Sequence, residues 1–273
     1  MSRSVRSLDF VHRLFSRSSV ITRLAILLRN QCRAIIKYRL MTTHEIEKSG
    51  EEWLLERLGP HCRTVVDVGA NRGTWSAAVL RHARELDRLV AYEPGRRAAE
   101  ILRQRLGGRP ELLVVDRALS DHSAAAERFY ELPDGANTSS FSPPTEAGAV
   151  ATSVVVSTLD TEAERLGLQQ IDLLKVDAEG HDFAVLRGAR RLLAEDRIRF
   201  VQWEYSDVWI PSGATLAATL AYMSDFGYRS LLLKADGLYR FDYDFFGEFF
   251  TFSNFVSVRE HDLHLVGEVH ELL

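Results

Sequence analysis

The sequence predicts an α/β fold, a mostly parallel sheet with helices on both faces. Three observations carry that prediction. From residue 50 onward, short apolar β-branched runs alternate with helical patterns, which is how a parallel sheet reads in sequence. The first of those runs ends in a glycine-rich bend, D-V-G-A-N-R-G at 67–73. Near the C terminus, Asp236–Gly237 sits between two apolar runs, a short hairpin signal that a purely parallel sheet would lack.

The elements follow in order. E-E-W-L-L-E-R-L-G-P reads as a helix closed by Gly59 and Pro60. T-V-V-D-V is a strand, W-S-A-A-V-L-R-H-A a helix, and R-L-V-A-Y-E-P a strand stopped by Pro94. A helix over R-R-A-A-E-I-L-R-Q-R-L ends at Gly107–Gly108, and L-L-V-V-D is the third strand. E-R-F-Y-E-L and T-S-V-V-V-S-T-L then read as an antiparallel pair beside the parallel sheet, joined by the turn-rich loop P-D-G-A-N-T-S-S-F-S-P-P-T-E-A-G. Alternation resumes with strand I-D-L-L-K-V-D, helix F-A-V-L-R-G-A-R-R-L-L and strand I-R-F-V-Q-W-E-Y. A helix capped by Gly227, the hairpin, and the closing strand F-F-T-F-S-N-F-V-S-V complete the order, with Phe245, Phe246, Phe249 and Phe250 expected in the core. H-D-L-H-L-V-G-E-V-H reads as a solvated terminal helix or strand.

With 273 residues, 46% of them hydrophobic and 26% charged, the chain can bury a sizeable core. It divides into a basic helical extension, 1–47, and a main domain, 48–273. The net charge of -4 hides an asymmetry: residues 1–40 carry nine Arg or Lys against one acid, Asp9. The acidic main body excludes nucleic-acid binding by a general electrostatic footprint. Cys32 and Cys62 have neither finger nor disulfide-scaffold spacing and read as reduced thiols of a cytoplasmic protein. No apolar run is long enough to span a bilayer. Val20, Leu24, Leu27, Leu28, Ile35 and Tyr38 share one helical face. That face would pack on the body, on a second subunit, or on an anionic membrane. The Arg- and Ser-rich start resembles an organellar transit peptide, and Met41 would serve as an internal start.

The bend at 69–73 is the chemically informative stretch. In an open parallel sheet, ligands sit beyond the C-terminal strand ends, where strand order reverses. Gly69 and Gly73 permit positive φ and close approach, Asn71 tolerates the left-handed region, and the following helix offers unpaired N–H groups. Asp67, two residues before the first glycine, would repel a diphosphate and favour a cation or an amino group. An ammonium, a carboxylate and a sulfonium together describe the methionine end of S-adenosylmethionine. Glu93, at the tip of the second strand, suits the two ribose hydroxyls of a nucleoside. Asp116, ending the third, stands where a side chain would reach adenine.

Several of these motifs, in this order, resemble the FkbM family of S-adenosylmethionine-dependent methyltransferases. They are D-V-G-A-N-R-G-T-W-S, Y-E-P, A-L-S-D at 118–121, T-L-D at 158–160 and D-L-L-K-V-D-A-E-G-H-D-F-A-V-L-R-G-A at 172–189. The likeness covers roughly residues 48–258. It implies the class I methyltransferase (Rossmann-like) fold, a seven-stranded sheet whose last strand is antiparallel. It also implies O-methylation of a hydroxyl on a sugar, glycolipid, polysaccharide or polyketide-type product.

Methyl transfer to an alcohol needs an aligned oxygen and a base. Asp177, Glu179 and His181 follow the strand I-D-L-L-K-V-D, and Glu204 ends the next strand; these four are the candidate catalytic groups. Asp177 would also hold the methionine end, and His181 has the ordinary pKa closest to neutrality. Three of them would also suit a divalent ion, though no metal-ligand set is assigned. The competing structural role is capping of the following helix by Asp177 and Glu179. Asn137, Ser139 and Ser140 supply polar contacts for a small-molecule or glycan acceptor, and Phe141, Tyr205 and Trp209 flat faces for it. Asn254 falls near the cofactor. Two rival readings remain, a nicotinamide-dependent oxidoreductase and a non-catalytic binding module.

Overall fold

The computed structural model describes residues 12–131, 141 and 149–273. The chain divides into two compact units, Met1–Met41 and Thr42–Leu273, so residues 42–47 group with the main body. The described part of the first unit is dominated by helix α1, Ser19–Leu40, whose N-cap Ser18 accepts from the Ile21 amide.

In the second unit, α2 (Ile46–Ser49) and α3 (Glu51–Leu58) precede β1 (Thr64–Val68), α4 (Thr74–His82), β2 (Arg88–Tyr92), α5 (Arg96–Leu106) and β3 (Leu112–Val115). Then come β4 (Ala118–Leu119), β5 (Ala124–Glu131), β6 (Val150–Ser157), α6 (Leu159–Leu166) and β7 (Ile171–Val176). The chain continues through α7 (Asp182–Arg187), α8 (Arg190–Ala194), β8 (Ile198–Tyr205), α9 (Leu216–Asp225), β9 (Tyr228–Lys234) and β10 (Gly237–Arg240). It closes with α10 (Tyr243–Phe246), β11 (Ser253–Arg259), α11 (Leu263–Val266) and β12 (Val269–Glu271).

The main sheet runs β12-β10-β9-β11-β8-β7-β1-β2-β3. β1 is parallel to β2 and β7, and β7 to β8; the chain crosses from one half to the other at the β1/β7 junction. β11 lies antiparallel between β8 and β9. The seven strands from β3 to β9 are therefore the expected class I sheet. β10 and β12 extend it to nine, so the seven-strand count is corrected upward. The terminal H-D-L-H-L-V-G-E-V-H supplies β12, and the Asp236 turn supplies β10. β4, β5 and β6 make a separate three-stranded sheet with β5 and β6 antiparallel, as the loop chemistry implies.

Both faces of the sheet are buried, and one core cluster lies under the face that carries Val65. Leu54, Leu55 and Leu58 of α3 and Trp75, Ala78 and Val79 of α4 pack on Val65, Leu173, Phe200, Leu231 and Val256. Each such side chain stabilises the fold by about 1.5–3 kcal/mol on burial. The aromatic run 245–250 departs from expectation. β11 starts only at Ser253, and Phe245 is exposed. The short helix α10 and the turn at Gly247 set Phe246 against Phe241 and Phe250 against Tyr205 instead of in a strand.

Candidate active site

After Thr64, β1 is apolar except for Asp67, which is fully buried. Its strand register sets it beside Lys175 of β7, and Lys175 in turn beside Gln202 of β8. Ser76 Oγ, from α4, donates to Asp67 Oδ2 at 2.6 Å, and Gln202 Nε2 donates to Glu51 Oε1 at 2.6 Å. A polar row thus crosses the middle of the sheet. Burial pushes the Asp67 carboxyl up to about 6, against the pull of Lys175 and Ser76. Burial alone would depress the Lys175 ammonium, but attraction to Asp177, Glu51 and Asp67 prevails and holds it above its ordinary range. Asp67 is not among the residues lining the cavity described below; its carboxylate serves this internal row.

The glycines of the bend answer to packing. Gly69 has φ +78°, and a Cβ there would stand 1.8 Å from the Asp177 carbonyl oxygen. Its amide and that of Ala70 both donate to the Tyr92 carbonyl. Gly73, also at φ +78°, would meet Leu102 and Leu106 of α5. The missing side chains let β1 meet β7 and α4 meet α5. Asn71 takes the left-handed region, φ +48°, and its amide donates to Glu93 Oε2 at 2.7 Å. Glu93 Oε1 accepts from Gly95 N at 2.7 Å. One carboxylate therefore joins the β1 and β2 turns and keeps a lone pair on each oxygen. Burial pushes it up to about 7, while the two amides pull down.

The β7 turn is built differently. Lys175 Nζ donates to Asp177 Oδ2 at 2.7 Å. Glu179 has φ +49°, a strained position for a side-chain-bearing residue and a frequent mark of functional turns. Gly180 follows at φ +90°, its missing Cβ filled by the Val208 carbonyl. No side chain caps α7, whose N-cap is His181, so Asp177 and Glu179 do not take the capping role; Asp182, the first helical residue, ties down the turn by accepting from Ala178 N and Gly180 N. Burial, with Asp177 and Asp182 nearby, pushes Glu179 up to about 9. Glu204, at the end of β8 and opposite Asn254 in register, is raised by burial and by Asp177.

These strand ends enclose a cavity of about 650 Å³ lined by Gly69, Asn71, Glu93, Asp177, Glu179 and Glu204, among others, within the range of small-molecule clefts. Its apolar faces are Trp75, Phe129, Phe141 and Phe252. Several predicted residues stand elsewhere. Asp116 turns to Arg103 on the surface. His181 bonds Ser120 Oγ at 2.8 Å and packs against Phe141, behind the wall. Tyr205 and Trp209 are fully buried against each other, and the Tyr205 hydroxyl donates to Glu248, so neither offers a face to an acceptor. Asn137, Ser139 and Ser140 lie outside the described residues. Among the described residues, no group of three or more His, Cys, Asp or Glu is placed to hold a metal ion.

Sequence reasoning missed Lys175, Glu51, His44 and Arg117 at the cavity. A signal existed for Lys175: it is a charge inside an apolar strand, two residues from Asp177 and so on the same face. His44 stacks on Phe252 with ring centroids 3.7 Å apart, a contact that no local pattern announces.

Residues 67–230 match the family described as Methyltransferase FkbM domain. A 2-O-methyltransferase, NoeI, of Sinorhizobium fredii is 27% identical over 169 residues, which cover 56% of this chain and 66%, just under two thirds, of that relative. Among solved structures, a methyltransferase FkbM from Methylobacillus flagellatus is 16% identical with a TM-score of 0.44, covering 71% of this chain and 43% of that one. A TehB-like methyltransferase from Corynebacterium glutamicum is 13% identical with a TM-score of 0.43, covering 88% of this chain and 97% of that one. The family match takes in the β1 bend, Glu93, the β7 turn and Glu204 in one continuous stretch, and the chain belongs to the FkbM family of methyltransferases.

Proposed function

We propose that this protein is an S-adenosylmethionine-dependent O-methyltransferase acting on a hydroxyl of a sugar, glycolipid, polysaccharide or polyketide-type product. One observation carries the reading. A single cavity joins a nucleoside-type carboxylate, Glu93, to a group of carboxyls, Asp177, Glu179 and Glu204, raised or crowded by burial and mutual repulsion. Such a group favours a positively charged ligand. The NoeI relative acts, by its name, as a 2-O-methyltransferase, which supports a hydroxyl acceptor.

Glu93 would accept from the ribose hydroxyls through its free lone pairs, and Asp177 would face the ammonium. Bound there, S-adenosylmethionine supplies a methyl group on an electrophilic sulfonium. Lys175 holds Asp177 in place by donating to its Oδ2. A cation in the cavity lowers the proton affinity of Glu179 and Glu204, bringing them toward the neutral range where a base works best. We assign the hydroxyl proton to Glu179, because the strained β7 turn aims it into the cavity. Glu204 with Asn254 orients the acceptor, and Phe129 and Phe141 offer it flat faces.

Calorimetry with S-adenosylhomocysteine and transfer of labelled methyl to a glycan panel test this. Binding with transfer is expected. NADH binding in place of S-adenosylhomocysteine would overturn the cofactor, and binding without transfer to any hydroxyl acceptor would favour a non-catalytic module.

A further inference from the structure

We infer that α1 is a membrane-surface helix that docks the protein on anionic lipid. The residues exposed along α1 include Val20, Leu24, Leu27, Leu28, Ile35 and Tyr38. At helical spacing they fall on one side. Arg29, Arg33 and Lys37 follow one another at four-residue steps on the other side, with Arg23 nearby; Ile26 and Ile36 on the basic side, and Gln31 and Arg39 on the apolar side, are the exceptions. A wide apolar face left in water is costly, and an unpaired helix of this length is only marginally stable. Something must cover it.

The charge identifies the cover. From residue 12 to 40 there are seven Arg or Lys and no Asp or Glu. A second copy packed on the apolar face would leave the bases of both helices pointing away from the contact with no anion to meet them. An anionic leaflet instead receives both faces: the apolar side chains enter the headgroup–acyl boundary, and the bases stay among the phosphates. No described helix is long and apolar enough to cross a membrane, so α1 lies on the surface rather than spanning it. The inference is independent of the methyl-transfer reading.

The test is co-sedimentation of the full chain with phosphatidylcholine vesicles, with and without about one-third phosphatidylglycerol. Expected is binding to the anionic vesicles only, weakened at least about tenfold by R29E/R33E/K37E or by L24E/L28E, and weakened as salt rises. Melting temperatures of both variants should match wild type. Three results would overturn the proposal. One is no binding to anionic vesicles. Another is a concentration-dependent dimer that L24E/L28E dissolves, which would make the face a subunit contact. The last is a lowered melting temperature in L24E/L28E without vesicle binding, which would make it an internal one.

Discussion

The turns after β1 and β7 occupy equivalent places on adjacent parallel strands, yet their residues answer to different demands. After β1, glycine is required because the Asp177 carbonyl and the Leu102 side chain fill the space of a Cβ. The acid of that strand, Asp67, is spent on Ser76 and the row beside Lys175. After β7, a glutamate takes a backbone conformation that glycine would adopt at less cost, and its carboxyl faces the cavity. A glycine-rich bend can therefore be a packing device, while the strained residue of the other turn keeps its side chain at the cavity wall.

The largest expected effect tests the packing half of that contrast. Gly69→Ala places a Cβ 1.8 Å from a backbone carbonyl at φ +78°. It should cost about 3–5 kcal/mol of stability in chemical denaturation; a loss below about 1 kcal/mol would end the packing account. Next, Glu179→Gln should lower kcat at least about a hundredfold while leaving stability equal or higher, because a neutral amide replaces a crowded acid. Wild-type turnover would remove its role as base.

The same group sets a pH dependence. Asp67, Glu93, Asp182 and Glu179 hold protons more tightly folded than unfolded, with folded values of about 6, 7, 7 and 9. Their contribution is present at low pH and is lost as pH rises through that window. The ligand-free melting temperature should fall from about pH 5 to about pH 9, and Glu179→Gln should flatten the fall above about pH 7. A curve identical in both proteins would refute the assignment.

Smaller still, Glu93→Ala should weaken S-adenosylhomocysteine by about 1.5–3 kcal/mol in calorimetry, the scale of hydrogen bonds to a charged group. Smallest is Asp116→Asn. An exposed acid paired with Arg103 should change that affinity less than about twofold, and a tenfold loss would restore Asp116 to the adenine site.

The strands and their order of alternation were legible because period and β-branching are local. Glu93, Asp177 and Glu204 could be placed at the cavity because each acid ends an apolar run, and Glu179 because it stands in the turn just after one; the end of a parallel strand faces the crevice. Tyr205 and Trp209 were misjudged for an equally physical reason. Sequence shows that an aromatic follows a strand, but not that β11, inserted between β8 and β9, brings Glu248–Phe250 onto it. His181 failed in the same way, since Ser120 that claims it is distant in sequence.

By itself, then, the sequence determined the alternating α/β frame, the left-handed bends and the acids at the strand tips, all consequences of short-range sterics and periodicity. Only tertiary structure decided which acids meet in one cavity, that Asp67 is internal, and that Lys175 balances the group. Those outcomes depend on strand register and burial, where a neighbour many residues away sets the charge and reach of each side chain.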